Sequence, residues 1–195
     1  MRKLKLEMQI SADGLSSSQD GNNDWMVWNW APDWGWDTEL RHYHEALTFS
    51  SDCILLSRMM AEEGFHQHWQ TVAENSANPQ SSFARAIGHM RKIVFSRTLK
   101  ESRWANTEIA RSGLAEEVSR LKQEAGKDII VYGGPILVSS LVEAGLIDEF
   151  HFIVNPALLG RGKPVLGELH RTTRLRLVDA RPFRCGVAVL HYART

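Results

Sequence analysis

The chain has 195 residues, 43% of them hydrophobic and 24% charged. That is enough for one well-filled core and too little for two comfortable domains, so one domain over residues 1–195 is expected. Lys plus Arg and Asp plus Glu both total 23 and cancel to a formal charge of +0, which excludes a global field able to hold nucleic acid or an acidic membrane; any anion must be bound locally.

Cys53 and Cys185 lie in apolar runs where free thiols act as small hydrophobes, and the amino terminus moves straight into alternating residues without a continuous apolar stretch. A soluble, cytoplasmic chain with neither leader nor membrane span is expected. Leu4, Leu6, Met8 and Ile10 alternate with Lys3, Lys5, Glu7 and Gln9, the period of a strand with one buried face. Ser11-Ala12-Asp13-Gly14 ends it, and the Ser-, Asp-, Gly- and Asn-rich stretch to Asn23 reads as a loop.

A segment holding five of the seven tryptophans leads to Asp37-Thr38-Glu39. With Leu40, Tyr43 and Leu47 following at helical spacing, a helix is predicted over residues 38–49. Apolar runs at 53–56 and 92–96 read as strands, separated by a helix opened by Asn78-Pro79 and carrying Phe83, Ile87 and Met90. Ser112 can cap a helix with Leu114, Val118, Leu121 and Ala125, stopped by Gly126; residues 129–132 are then a buried strand. Gly133-Gly134-Pro135 turns directly into a helix with Ile136, Leu137, Leu141 and Ala144, stopped by Gly145. After a strand at 150–155 and a Gly-rich turn, Leu159-Gly160-Arg161-Gly162-Lys163-Pro164, the runs at 175–178 and 187–192 suggest an antiparallel hairpin. The alternation predicts an α/β fold: a mainly parallel sheet covered on both faces, with an antiparallel C-terminal hairpin.

Val131-Tyr132-Gly133-Gly134 has the form of an anion site, because glycines let backbone approach a phosphate and the helix that follows offers unpaired N–H groups. Taken alone, such a turn is as often a plain tight connection. His42-Tyr43-His44 and His66-Gln67-His68 invite a metal reading, but helix residues two apart point in different directions and no third ligand is evident, so no metal site is expected.

Lys127-Asp128-Ile129-Ile130-Val131-Tyr132-Gly133-Gly134, Leu146-Ile147-Asp148-Glu149-Phe150 and Pro156-Ala157-Leu158 with the Gly-rich turn are ordered and spaced as in the RibD C-terminal reductase domain. Asp13-Gly14, the run from Lys92 to Leu99 and the strand ending at Tyr192 also resemble that family, so the likeness spans nearly the whole chain. The resemblance implies a dihydrofolate-reductase-like three-layer fold with NADPH as cofactor. The dinucleotide would lie across strand ends, its pyrophosphate near Tyr132, Gly133, Gly134, Pro135, Ile136 and Leu137, and its adenosine phosphate near Ser96, Arg97 and Thr98. Arg97 supplies a charged planar fork, and Ser96 and Thr98 supply hydroxyl donors. Where the family usually has Gly-Arg-x-Thr after the second strand, this chain has Ser57-Arg58-Met59-Met60: Ser57 and Arg58 remain cofactor candidates, while Met59 cannot donate a hydrogen bond and Pro135 lacks an N–H.

In dihydrofolate reductases a carboxylate on the first helix, after a Trp-bearing loop, contacts the pterin; the nearest counterparts here are Asp37 and Glu39. Asp13, on the loop after the first strand, is a separate catalytic candidate, with turn chemistry as its alternative. Trp25 and Trp28 are the tryptophans expected at the substrate; the others are expected to pack. The implied activity is hydride transfer from NADPH to a C=N or C=O of a small pterin- or diaminopyrimidine-like substrate. With no His-x-Glu and Cys-x-x-Cys zinc pattern ahead of the first reductase strand, a stand-alone reductase is expected, and the resemblance implies a homodimer. Two rivals stand beside it: a catalytically silent ligand-binding module that has lost cofactor contacts, and a reductase of quinone or nitro acceptors.

Overall fold

The computed structural model describes every residue except Pro32, Asp33, Gly133 and Glu168. Along the chain come β1 (Leu4–Ser11), β2 (Leu15–Ser18), α1 (Thr38–Phe49), β3 (Ser51–Ser57), α2 (Arg58–Met60), a π turn (Ala61–Phe65), α3 (His66–Glu74), α4 (Ser81–His89), β4 (Arg91–Phe95), β5 (Thr107–Ile109), α5 (Leu114–Gln123), β6 (Asp128–Val131), α6 (Pro135–Glu143), β7 (Glu149–Asn155), β8 (Gly162–Pro164), β9 (Leu175–Pro182) and β10 (Ala188–Arg194).

Eight strands form one sheet in the order β5-β4-β3-β6-β1-β7-β10-β9. The ladders from β5 to β7 are parallel, and β10 is antiparallel to both β7 and β9. The mainly parallel sheet with an antiparallel C-terminal hairpin is therefore as the sequence predicts. Parallel strands need crossovers, and the helices that supply them bury both faces of the sheet. Cys53, Leu55, Ile129 and Val131 pack on one side with residues of α5 and α6, while Ile54, Leu56 and Ile130 pack on the other with residues of α1, α3 and α4.

The first strand departs from its expected one-sided burial. β1 lies between β6 and β7, so its polar residues are enclosed as well, Lys5 at 8% and Glu7 at 3% exposure. They survive there because each has a partner: Lys5 Nζ lies 2.8 Å from Asp128 Oδ2 and Glu7 meets His44. A buried charge is tolerated when it is paired and hydrogen-bonded.

The segment after β1 also departs from the expected loop, since β2 pairs with β8 in a separate two-stranded ribbon. Gly162 is required at that crossing, because a Cβ there would lie 2.0 Å from the Ser17 carbonyl oxygen. Helix α3, unmarked in the sequence reading, follows the π turn, and Gly64 with φ +117° makes the kink between them. The helix expected from Asn78-Pro79 begins slightly later, at Ser81, because Asn78 Oδ1 accepts from the Gln80 N–H in a turn of its own. No helix among the described residues is long and apolar enough to cross a membrane.

Candidate active-site cleft

A cleft of about 1030 Å³ opens along the carboxyl ends of the parallel strands. This is where open α/β sheets gather ligand-binding groups, since the chain leaves each strand end for a helix on one face or the other. Ser57 follows from β3, Ser96 and Arg97 from β4, and Tyr132 and Gly134 from β6; all line the cleft.

The helix after β6 forms a close cradle. Gly134 adopts φ +81° and caps α6 without a side chain, and a Cβ on it would lie 3.0 Å from Ser57 Oγ and 3.2 Å from Ser57 Cβ. Pro135 occupies the first helical position, where its missing N–H is one of the groups that would be unpaired in any case. Ile136 and Leu137 then present the first amides of the helix, and both residues line the cleft. The start of α5, at Gly113 and Leu114, enters the same space. Two helix N-termini thus carry their partial positive ends to one opening, with Arg58, Arg97 and Lys163 as the cations among the lining residues.

Local hydrogen bonds fix these groups. Ser57 Oγ accepts from the Met60 N–H and caps α2, and Arg58 Nη1 lies 2.5 Å from Glu62 Oε2 one turn on. Ser96 Oγ accepts from the N–H groups of Thr98 and Leu99 at 3.1 and 2.9 Å, which turns the chain sharply after β4. Arg97 is exposed on the rim. Thr98 is exposed and not among the lining residues, and Gly133 lies outside the described residues.

Part of the cleft lining is aromatic and acid-bearing. Trp28, Trp36, Glu7 and His44 line it, and His44 Nδ1 stands 2.9 and 3.0 Å from the two Glu7 oxygens. His44 is enclosed by rings, with Phe83 at 4.8 Å, Trp36 at 5.4 Å and Tyr132 at 6.0 Å between centroids. Its other nitrogen, Nε2, is buried and has no hydrogen-bond partner among the described residues. Tyr132 is held by Thr48, 2.6 Å from hydroxyl to hydroxyl, and burial raises its pKa well above the ordinary phenol value, so it stays protonated.

The Trp-bearing segment is laid over this part by polar residues of the central strands. Gln9 Nε2 donates to the Trp28 carbonyl at 3.0 Å, and the Val27 N–H donates to Asn155 Oδ1 at 2.9 Å. Trp28 is 2% exposed and lies 4.7 Å from the Trp36 ring. Trp25 sits apart from the cleft, with its indole N–H on the Asn22 carbonyl.

The carboxylates expected at the chemistry stand elsewhere. Asp13 accepts from the N–H groups of Leu159 and Gly160 and from the Ser11 hydroxyl, clamping the loop after β1 to the Gly-rich turn. Those bonds, that of Ser11 first, hold its pKa down to about 2, so near neutral pH it has no proton to give. Asp37 is the N-cap of α1; it accepts from the Leu40 and Cys185 amides, and the helix-cap bond in particular lowers its pKa. Glu39 is exposed on the first turn of α1. None of the three lines the cleft.

Glu7, His44, Gln9 and Asn155 are the residues the sequence reading missed. A signal was present: three polar residues alternating on a strand that the neighbouring β-α-β pattern places inside a parallel sheet must each find a buried partner.

Comparison with known proteins accords with this architecture. The model of the RibD C-terminal domain matches residues 2–189. The uncharacterized protein YyaP of Bacillus subtilis (strain 168) is 30% identical over 193 residues, covering 98% of this chain and 94% of its own. A solved protein of Shewanella sp. PV-4, described as a candidate riboflavin biosynthesis protein, superposes with a TM-score of 0.70 at 19% identity, over 100% of this chain and 99% of that one. Dihydrofolate reductase from Enterococcus faecalis, solved with NADP(H), superposes with a TM-score of 0.59 at 13% identity, over 99% and 96%. The chain has the dihydrofolate-reductase-like fold and belongs to the RibD C-terminal domain family.

Proposed function

We propose that the protein is an NADPH-dependent reductase that transfers a hydride to a C=N or C=O bond of a small, flat heterocycle of the pterin or diaminopyrimidine kind. The observation that carries this reading is the mixed lining of one cleft, which joins Arg58, Arg97 and two helix N-termini with Trp28, Trp36 and the Glu7–His44 pair. A dinucleotide phosphate needs the first and a reducible ring needs the second.

The residues fit the cofactor on the evidence of the cradle itself. Gly134 opens α6 with φ +81° and lines the cleft without a side chain of its own, which suits backbone that must come near a pyrophosphate. Ile136 and Leu137 would offer amides to that group, Arg58 and Lys163 would balance its charge, and Arg97 with Ser96 would hold the adenosine phosphate. When bound, the nicotinamide supplies the hydride.

The protein supplies the rest. Trp28 and Trp36 exclude water and present flat faces to an aromatic substrate. Hydride addition to C=N or C=O leaves a heteroatom that needs one proton. His44 Nε2 is the group placed to give it, with Glu7 holding Nδ1 and fixing the ring. The proton is then restored from solvent. The exposed Leu177 and Val178 of edge strand β9, at 52% and 45% exposure, support a homodimer through that edge. The free thiols Cys53 and Cys185 support residence in the cytoplasm.

Turnover tests the reading. NADPH should be consumed with dihydropterin- or ribosylaminopyrimidine-type substrates, and far more slowly by His44→Gln. Consumption with quinone or nitro compounds alone would assign a different acceptor, and failure to bind either dinucleotide would make the protein a silent module.

A further inference from the structure

Away from the cleft, β7 and β10 bring together three side chains that the reductase reading leaves unused. Glu149 and His151 are two apart on β7 and so share a face, and His191 stands directly opposite His151 in the antiparallel ladder. Their ligand atoms all lie within 4.8 Å of one another. Glu149 Oε2 is 3.7 Å from His151 Nε2 and 3.6 Å from His191 Nε2, too long for hydrogen bonds.

Both imidazole Nε2 atoms are buried and have no partner among the described residues. His151 is 4% exposed. Buried polar atoms without partners are uncommon, and two facing the same carboxylate oxygen suit a bridging species between them.

We propose that Glu149, His151 and His191 bind one divalent transition-metal ion of the zinc type, at a site separate from the cleft. Two imidazoles and a carboxylate are a donor set for such an ion, and three protein ligands leave a position open to water or a further ligand. The spacing suits it: at bond lengths of about 2.1 Å, ligand atoms at tetrahedral corners are about 3.4 Å apart. The Glu149–histidine separations are only slightly larger.

The surroundings complete it. Tyr43 on α1 places its hydroxyl 2.5 Å from His151 Nδ1, the second-shell bond that fixes a ligand imidazole and leaves Nε2 as the donor to metal. Lys3 Nζ holds Glu149 by the other oxygen, Oε1, at 2.7 Å, leaving Oε2 free. The β9–β10 register shifts between His191 and Tyr192, and a bulge at that point re-aims a side chain. The two imidazoles lie stacked, with centroids 4.1 Å apart and planes at 16°, so one ring turns out of the stack for both Nε2 lone pairs to converge on the ion.

The test uses the full chain, stripped with chelator and titrated with Co²⁺ and Zn²⁺. Co²⁺ should bind one per chain with a visible ligand-field band and be displaced by Zn²⁺. His191→Ala and Glu149→Gln should each abolish the band, and Tyr43→Phe should weaken binding by about 10–100-fold. NADPH titration of the His191→Ala protein, whose side chain is partly exposed, should match the unaltered chain, which separates this site from the cleft. Absence of saturable binding by the unaltered protein, or one-to-one binding that survives His191→Ala, would overturn the proposal.

Discussion

Glu7 and His44 meet across the interface of β1 and α1, both side chains 3% exposed, with His44 Nδ1 shared between the two carboxylate oxygens at 2.9 and 3.0 Å. A carboxylate set so symmetrically on one nitrogen fixes the ring and directs the other nitrogen to its work. If His44 gives the proton, His44→Gln lowers kcat by about 10²–10⁴-fold and leaves NADPH affinity within twofold or so. Glu7→Gln, acting through the ring, lowers kcat less than His44→Gln does. A kcat unchanged in His44→Gln would remove it from the reaction.

Gly134 and Ser57 give a second test. Gly134→Ala introduces a methyl group 3.0 Å from Ser57 Oγ at φ +81°, a conformation that costs an ordinary residue about 1–2 kcal/mol. That cost falls on the fold, and relief of the clash displaces the cradle, so the expected result is lower stability together with NADPH binding weakened by about tenfold, a loss of about 1.4 kcal/mol. Ser57→Gly in the same chain removes the clash and restores part of the affinity, at a cap cost of only about a few tenths of a kcal/mol. Isothermal titration of the unaltered chain and the two variants checks this; equal affinities throughout would show that the cradle does not meet the cofactor.

Asp13 separates positioning from acid chemistry. Its bonds to Leu159 and Gly160 tie the turn before β2, the strand of Ser16 and Ser17, to the turn before β8, the strand of Lys163, and all three residues line the cleft. Asp13→Ala should lower kcat/KM, by up to about 100-fold where groups are displaced by 1 Å, without moving the pH at which kcat titrates. A lost pH limb in this variant would return Asp13 to the catalytic role.

Stability should fall on the acid side of neutrality. Burial, with a smaller contribution from Lys92, pushes His66 from 6.5 down to about 4, and its ring stacks on Trp104 with centroids 4.8 Å apart. Because the folded pKa is the lower one, the unfolded chain binds the extra proton between these values. The stability is complete above about 6.5 and is lost as pH falls through 4. Urea midpoints measured from pH 7 to 4 should decline, and His66→Gln should flatten the decline; an unchanged slope would place the titration in other groups.

The fold was largely readable from the sequence, and the reasons are physical. Helix α1 was found at its true limits because Asp37 is a strong cap signal and Leu40 and Leu47 repeat at helical spacing. β3 and β6 appear as apolar runs because both their faces are covered. The segments that escaped notice depend on distant partners: β2 and β8 exist only by pairing with each other, and the π turn before α3 carries a glycine that reads as a break.

The candidate site was legible where turn chemistry is local: Ser57, Arg58, Ser96, Arg97, Tyr132, Gly134, Pro135, Ile136 and Leu137 all line the cleft. Its acid-bearing part was not, because Glu7 and His44 are 37 residues apart and become neighbours only when α1 packs on β1. Asp13 and Asp37 attracted attention through spacing and proximity to turns, and their carboxylates are used by backbone amides instead. The Glu149, His151 and His191 cluster stayed hidden for the same reason as Glu7: strand register, unlike helix spacing, is not visible within one segment.

Titration of the purified protein with NADPH and NADH, followed by tryptophan fluorescence, decides whether the cleft holds NADPH. Trp28 and Trp36 line the cleft and should report occupancy. The account predicts saturable one-to-one binding of NADPH, tighter than NADH, and weakened by about 10–100-fold in Arg97→Ala through loss of charged hydrogen bonds. No saturation with either dinucleotide, or NADPH binding indifferent to Arg97→Ala, would contradict it.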